Sequence, residues 1–159
     1  MTRIESRNVP QANSLSVVGN LLALASAGII EKKRLSRELP LALREVDYYM
    51  HAARILGFAK FEKIQEFELT ENGREYLSAE TPTEKRRLLA QAVRSAKIFE
   101  LLLKEHDESK LSRDEVATFL KDVTASPEDP RTKLNITTAR RRADTIIAWL
   151  KSTRSNSEE

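Results

Sequence analysis

Apolar residues recur at helical spacing through most of this 159-residue chain and alternate strictly with polar ones in a single place, directly after Gly57. There, "FAKFEK" and "EFELT" have a period of two and are separated by "IQ", which predicts a hairpin of two short strands. The chain has only four glycines and five prolines, too few for the many turns of an all-β fold. We therefore predict a mainly α-helical protein with one small β-hairpin.

Three helices precede the hairpin and one follows it. The first begins at an N-cap, Ser14 or Ser16, and ends at Gly28; the second, "IIEKKRLSREL", stops before Pro40; the third covers residues 43–57. The fourth is "ENGREYLSA". Three helices followed by a hairpin are typical of a winged helix-turn-helix. We assign residues 1–80 to this domain.

A second unit is predicted from Thr81 to residue 151. "TPTEKRRLLAQAVRSAKIFELLLKEHD" forms one long helix or two in tandem and is capped by Thr81 or Thr83. "LSRDEVATFLKDV" begins at an N-cap, Ser112. A polar loop, "TASPEDPRTKLN", leads to a last helix over residues 137–150. The helical order thus repeats without a second wing. This unit is either a wingless or truncated helix-turn-helix, or the chain is an excised part of a longer protein. Residues 152–159 are predicted to be a disordered tail.

The net charge of +3 lies entirely in the second unit. Residues 1–80 carry 11 basic and 11 acidic side chains, whereas residues 81–159 carry 16 and 13. This basic balance suits a nucleic-acid partner without requiring one. The absence of cysteine excludes disulfides and thiolate metal sites, and there is neither a signal peptide nor an apolar run long enough for a membrane span. A cytoplasmic protein without a membrane partner is expected.

The third helix carries the first set of candidate DNA contacts. Val46, Tyr49, Met50, Ala53 and Leu56 fall in one sector of this helix and predict its buried face. The opposite sector combines cations with an aromatic side chain that is predicted to be exposed. The candidates on it are Arg44, Tyr48, His51 and Arg54. The alternative is that Tyr48 packs against the second unit or against a dimer partner, and Ile55 on the same side favours that alternative.

The last helix carries the second set. "TARRRADTIIAWLK" places three arginines before an apolar stripe, at the end of the helix where free backbone N–H groups favour a phosphate. A Thr137 or Thr138 N-cap is expected, and Arg142 is placed to reach a phosphate or to stack on Trp149. The candidates here are Thr138, Arg140, Arg141, Arg142 and Thr145. The alternative is an ordinary amphipathic helix with a solvated charged end.

On the hairpin, Lys60 and Lys63 lie where a wing would touch the DNA backbone, although three glutamates nearby oppose that use. Catalysis is not expected within the chain. It has no glycine-rich phosphate loop, no Gly-x-Ser-x-Gly and no His-Glu-x-x-His, and its two histidines lie in different units. No cofactor and no metal are predicted, since no second ligand type lies three or four residues after His51 on its helix.

Two stretches resemble a known family of modules. "VPQANSLSVVGNLLALASAGIIEKKRLSRELPLALREVDYYMHAARILGFA…FELTENGREYL" resembles the winged-helix modules found beside type II restriction endonuclease domains. "TTARRRADTIIAWLK" is similar to the helix that follows in the same modules, with a "T-x-x-R-R-x-x-T" pattern and a "W-L" step. The matching residues in the first stretch are Arg44, Val46, Asp47, Tyr48, Tyr49, Ala52, Ala53, Arg54, Leu56, Gly57, Leu69, Thr70 and Gly73. Those in the second are Thr138, Arg141, Arg142, Thr145, Trp149 and Leu150.

The resemblance covers residues 9–151 and implies sequence-specific binding of double-stranded DNA by a non-catalytic specificity module of a prokaryotic restriction-modification system. Cleavage would belong to a nuclease domain or subunit elsewhere, because the chain has no nuclease part. The "L-T-x-x-G" step occurs in many winged-helix families, so a transcriptional regulator is an alternative. A protein-interaction module that uses the third helix or the wing is another, and homodimerisation is left open.

Overall fold

The computed structural model describes residues 3–63, 66–125 and 134–154. Within them the protein is mainly α-helical with a small two-stranded hairpin, as predicted. The helices are α1 (Leu15–Ser26), α2 (Lys32–Glu38), α3 (Leu43–Ile55), α4 (Glu71–Ser78), α5 (Pro82–Ser95), α6 (Lys97–Glu105), α7 (Arg113–Thr124) and α8 (Ile136–Ser152). The strands are β1 (Ala59–Lys60) and β2 (Glu68–Leu69), and short 3₁₀ turns occur at Ser6–Asn8 and Glu108–Lys110. No helix of the described part has the length and apolar character that crossing a membrane requires.

Side-chain caps fix the starts of several helices where the sequence predicts them. The hydroxyls of Ser14, Thr81 and Ser112 accept hydrogen bonds from the first-turn backbone N–H groups of α1, α5 and α7. At α8 the predicted Thr137 or Thr138 cap is wrong. Asn135 caps this helix instead, and its Oδ1 accepts from the Thr138 N–H at 2.8 Å.

The hairpin is shorter than predicted. Its ladder pairs Ala59 with Leu69 and Lys60 with Glu68 in antiparallel register, and residues 64–65 between the strands lie outside the described part. The stretch predicted as one long helix or two in tandem is two helices, separated by extended backbone at Ala96. The break separates a surface helix, α5, from α6, which buries Ile98, Phe99 and Leu102.

One cluster of buried apolar side chains runs through the whole described chain, across the predicted boundary between residues 80 and 81. The predicted core face of α3 is buried as expected, and all five of its residues are less than a tenth exposed. In the second unit Trp149 is fully buried and stacks on Phe99, with ring centroids 5.7 Å apart. Residues 126–133 of the predicted polar loop and residues 155–159 of the predicted tail lie outside the described part. The tail prediction is wrong at its start, because α8 runs to Ser152 and the buried Thr153 hydroxyl accepts from Arg94 Nη1 at 2.8 Å.

The N-terminal segment, residues 3–13, is a strap that joins the two units. Ile4, Val9 and Ala12 are at most 5% exposed, although the strap has no helical or strand periodicity. The Ile4 N–H donates to the Val123 carbonyl at 2.8 Å, and the indole N–H of Trp149 donates to the Ala12 carbonyl at 2.7 Å. The strap therefore stabilises the packing of both units, and it determines which faces of α3 and α8 remain open.

Candidate nucleic-acid interface

The first half of α3 presents one cation to solvent. The Glu45 carboxylate accepts from the Ala42 N–H at 3.0 Å and so returns to the helix start, while Asp47 forms an ion pair with Lys32 of α2 at 2.8 Å. Arg44 is exposed, and its side chain makes no hydrogen bond or ion pair with another described residue. Leu43 beside it is 46% exposed. The first turn of α3 therefore offers one free guanidinium and one apolar side chain.

The outer face of α2 adds three cations that the sequence analysis missed. Lys33, Arg34 and Arg37 are exposed, and the spacing of three and four residues from Arg37 places them on one side of the helix. Leu35, on the inner side, is fully buried. None of the three cations has a side-chain partner within residues 3–63, 66–125 and 134–154. The feature that could have revealed these three cations is a seven-residue helix that has four cations and only one buried position.

The middle of α3 faces the strap rather than solvent. Arg54 donates from Nη1 to Asn8 Oδ1 at 2.8 Å and from Nη2 to the Arg7 carbonyl at 2.9 Å. Its Nε lies 3.3 Å from His51 Nδ1, and the His51 ring packs against Phe61 at 5.1 Å. Tyr48, His51 and Arg54 are all half-buried, so the exposure predicted for this face is wrong.

Burial has electrostatic consequences at His51 and Arg54. Burial, followed by the positive charge of Arg54, lowers the pKa of His51, which favours the neutral imidazole. Burial, followed by the charge of Arg7, lowers the pKa of Arg54. The positive charges of Arg7 and Arg54 repel each other, and the two strap oxygen atoms that Arg54 contacts carry no formal negative charge.

Two of the three arginines of α8 also bind the strap. Arg142 donates from Nη1 to the Ser6 carbonyl at 2.6 Å, and Arg141 donates to Gln11 Oε1 at 3.2 Å. Burial, followed by the charge of Arg141, lowers the pKa of Arg142, while Tyr48 opposes this shift. Because the Trp149 ring is buried against Phe99, the expected stacking of Arg142 on that ring does not occur.

Thr145 is the predicted contact that is furthest from solvent. It is 1% exposed, and its hydroxyl donates to Asn13 Oδ1 at 2.5 Å. A side chain in this position has no surface for a base edge. The helical periodicity placed Thr145 opposite the apolar stripe of α8, but the strap covers that side.

The remaining predicted contacts lie apart from this junction. Thr138 is half-buried behind the Asn135 cap, and Arg140 is exposed with its Nε 3.6 Å from an Asp114 carboxylate oxygen. Lys60 pairs across the hairpin with Glu68 at 3.4 Å, and Lys63 is exposed. The structure thus brings His51, Arg54, Arg141, Arg142 and Thr145 together around the strap, while Tyr48 is half-buried on the same helix as His51 and Arg54. It leaves Arg44, Lys60, Lys63, Thr138 and Arg140 elsewhere.

The "L-T-x-x-G" step is a packing device in this structure. The Thr70 hydroxyl donates to the Gly57 carbonyl at 2.6 Å and accepts from the Gly73 N–H at 3.1 Å. A Cβ at Gly73 would lie 2.0 Å from the Phe58 carbonyl oxygen, so only glycine allows α4 to approach β1 this closely. The motif therefore fixes the end of α3 against α4.

Comparisons with curated proteins and with solved structures found no significant match. Among the described residues, no three histidine, aspartate or glutamate side chains gather where they would hold a metal ion. One family model matches residues 17–155, which is most of the chain. The protein therefore belongs to the DUF7226 family, a domain of unknown function.

Proposed function

We propose that this protein binds double-stranded DNA as a non-catalytic, sequence-specific module. The observation that carries the proposal is the exposed cation patch of α2 and the first turn of α3, formed by Lys33, Arg34, Arg37 and Arg44. Side chains of this kind gain more from phosphates than from water, because each contact releases condensed counterions from the DNA. We call this surface the α2–α3 patch.

The order of the helices indicates how the patch would dock on DNA. In a helix-turn-helix the second helix inserts its N-terminal residues into the major groove while the first crosses the backbone. If α2 and α3 act in this way, Lys33, Arg34 and Arg37 contact phosphates and Arg44 reaches a base edge. Because the strap covers the middle of α3, contacts by Tyr48, His51 and Arg54 are not part of this proposal.

The exposed end of α8 offers a second, weaker contact. Arg140 and Arg141 lie in its second turn, and both side chains are exposed. Both already have partners, Asp114 for Arg140 and Gln11 for Arg141. We therefore expect α8 to contribute less to DNA affinity than the α2–α3 patch does.

The biological setting that we favour is a prokaryotic restriction-modification system in the cytoplasm, with cleavage by a separate domain or subunit. This follows from the resemblance of the chain to winged-helix modules beside type II nuclease domains. A transcriptional regulator would use the same DNA-binding chemistry and would differ only in what is recruited to the site. To distinguish the two functions, the protein is purified together with the products of the neighbouring genes, and cleavage of the bound DNA is assayed. Cleavage supports the restriction-modification setting.

The binding proposal is tested by fluorescence anisotropy with a random duplex library, followed by sequencing of the retained DNA. We expect retention of a defined motif and a loss of binding in the K33Q/R34Q/R37Q variant. The matched control is K97Q/K104Q/K110Q, which removes the same charge from exposed positions of the second unit. Equal losses in both variants, or no binding even at low salt, would overturn the proposal.

A protein-interaction module is the rival function, and a groove between the end of α3 and α4–α5 favours it. The groove has a volume of 490 Å³, and its lining includes Ile55, Phe58, Leu88 and Ala92. Ile55 is half-buried there, which leaves room for an apolar partner side chain. If I55A abolishes self-association or partner binding while DNA binding stays intact, the groove serves that function.

A further inference from the structure

Leu43 is an apolar side chain in a setting that is otherwise polar and cationic. Within the described residues, Leu43 and Ile136 are the large hydrophobic side chains that remain exposed, at 46% and 41%. Single exposed leucines are common on protein surfaces. Leu43 is distinguished by its neighbours, since it lies next to Arg44 on the first turn of α3 and opens the helix that the DNA proposal places in the major groove.

The other outward side chains of α3 are already engaged. Glu45 is held by the Ala42 N–H, and Asp47 is held by Lys32. Tyr48, His51 and Arg54 lie half-buried in the region that the strap covers. Within the described residues, only Leu43 and Arg44 of the outward face are exposed and have side chains that no hydrogen bond or ion pair engages.

These two side chains match the two kinds of group that the major groove offers. The C5-methyl of thymine is the apolar group in that groove, and guanine presents N7 and O6 as paired acceptors for a guanidinium. We propose that Leu43 contacts a thymine methyl and that Arg44 donates to a guanine at an adjacent step of the target. This inference rests on the proposed function and adds to it the chemical groups of the bases that the protein would recognise.

The test removes only the methyl group from the DNA. Thymines of the selected duplex are replaced one at a time by deoxyuridine, and affinities are measured by anisotropy. At one position we expect a loss of about fourfold for the wild-type protein, equivalent to the ~0.8 kcal/mol of one buried carbon group. In L43A the affinity should already be lower, and the same replacement should have no further effect.

Two matched variants control the measurement. I136A removes the other exposed apolar side chain and should keep the full sensitivity to deoxyuridine. R44K should lose discrimination at a guanine while retaining the methyl effect, because lysine lacks the paired donors of arginine. Since about half of the Leu43 side chain is exposed, L43A and L43Q should unfold at nearly the same urea concentration as the wild type.

The outcomes separate the inference from the function on which it rests. Specific binding with no position sensitive to deoxyuridine, or with L43A as sensitive as the wild type, overturns the inference and leaves the DNA function standing. Absence of binding to any duplex at low salt overturns both. Coupling between Leu43 and one thymine establishes both.

Discussion

The helices α3 and α8 have similar patterns of apolar and charged residues, but they differ in how much of their positive charge stays exposed and unpaired in the described part. Each has an apolar stripe on one side and cations on the other, and in each the strap covers the middle of the polar side. They differ near their N-terminal ends. Arg44 of α3 has no side-chain partner in the described part, whereas Arg140 of α8 adjoins Asp114. Two helices with similar sequence patterns thus differ in the positive charge that remains without a partner in the described part, because the side chains packed around them differ.

Removal of the strap tests whether this covering is structural or regulatory. Deletion of residues 1–13 should lower the free energy of unfolding by about 4 kcal/mol or more, since Ile4 and Val9 are buried and each contributes roughly 1.5–3 kcal/mol. Urea denaturation measures the change. If stability were preserved and DNA binding increased, the strap would be a displaceable cover, and the middles of α3 and α8 would be hidden contact surfaces.

Substitution of Gly73 tests whether the "L-T-x-x-G" step holds α3 in place. G73A should cost about 3 kcal/mol, because the new Cβ would lie 2.0 Å from a backbone oxygen that cannot easily move. G19A is the control: its Cβ would lie 3.6 Å from the Tyr76 hydroxyl, so the helix propensity of alanine should leave stability unchanged or slightly higher. Equal melting temperatures for G73A and the wild type would contradict the packing role.

Charge removal from the two helices compares them directly. A protein that contacts about six phosphates should show a log–log salt slope of about −5. K33Q/R34Q/R37Q should make that slope shallower by roughly 2.7, and R140A/R141A by no more than roughly 1.8, since both arginines already have partners. Anisotropy titrations between about 50 mM and about 200 mM salt give the slopes. A larger effect from α8 would reverse the order of the two helices.

The smallest expected effect is the pH dependence that His51 contributes. Its pKa is lowered in the folded protein, so the unfolded chain binds more protons near and below the unperturbed value of about 6.5. The contribution is complete above that value and is lost as the pH falls towards the folded pKa. H51Q should therefore lose less stability than the wild type as the pH falls from about 7.5 to about 5.5. Identical pH profiles for the two proteins would show that His51 is not held neutral.

Local patterns predicted the secondary structure well because their causes are local. The hydroxyls of Ser14, Thr81 and Ser112 lie next to the N–H groups that they cap, so the sequence alone places them. Asn135 was missed because two threonines follow it at positions equally suited to capping. The hairpin was predicted too long, since alternation of apolar residues indicates which side chains face the core but does not measure how far the strands remain paired.

The candidate site was only partly predictable. Arg44 and Arg140 were found from their positions on the helices, and both are exposed. Lys33, Arg34 and Arg37 were missed because α2 is short and has only Leu35 fully buried, which left its polar side without a clear contrast. Tyr48 and Thr145 were assigned to the wrong surroundings. Their position opposite an apolar stripe shows where they lie on their own helix, and it says nothing about other segments of the chain.

The sequence by itself determined the order of helices and hairpin, the caps of α1, α5 and α7, the core face of α3 and the uneven distribution of charge. Only the tertiary structure decided which polar faces stay open, because the strap has no periodicity and binds α3 and α8 through backbone carbonyls and short polar side chains. Such contacts depend on the distance between groups more than 40 residues apart in the chain, such as Asn8 and Arg54. A helical pattern contains no information about that distance, and so only the tertiary structure showed that the cations of the α2–α3 patch stay exposed while Arg54 and Thr145 are covered.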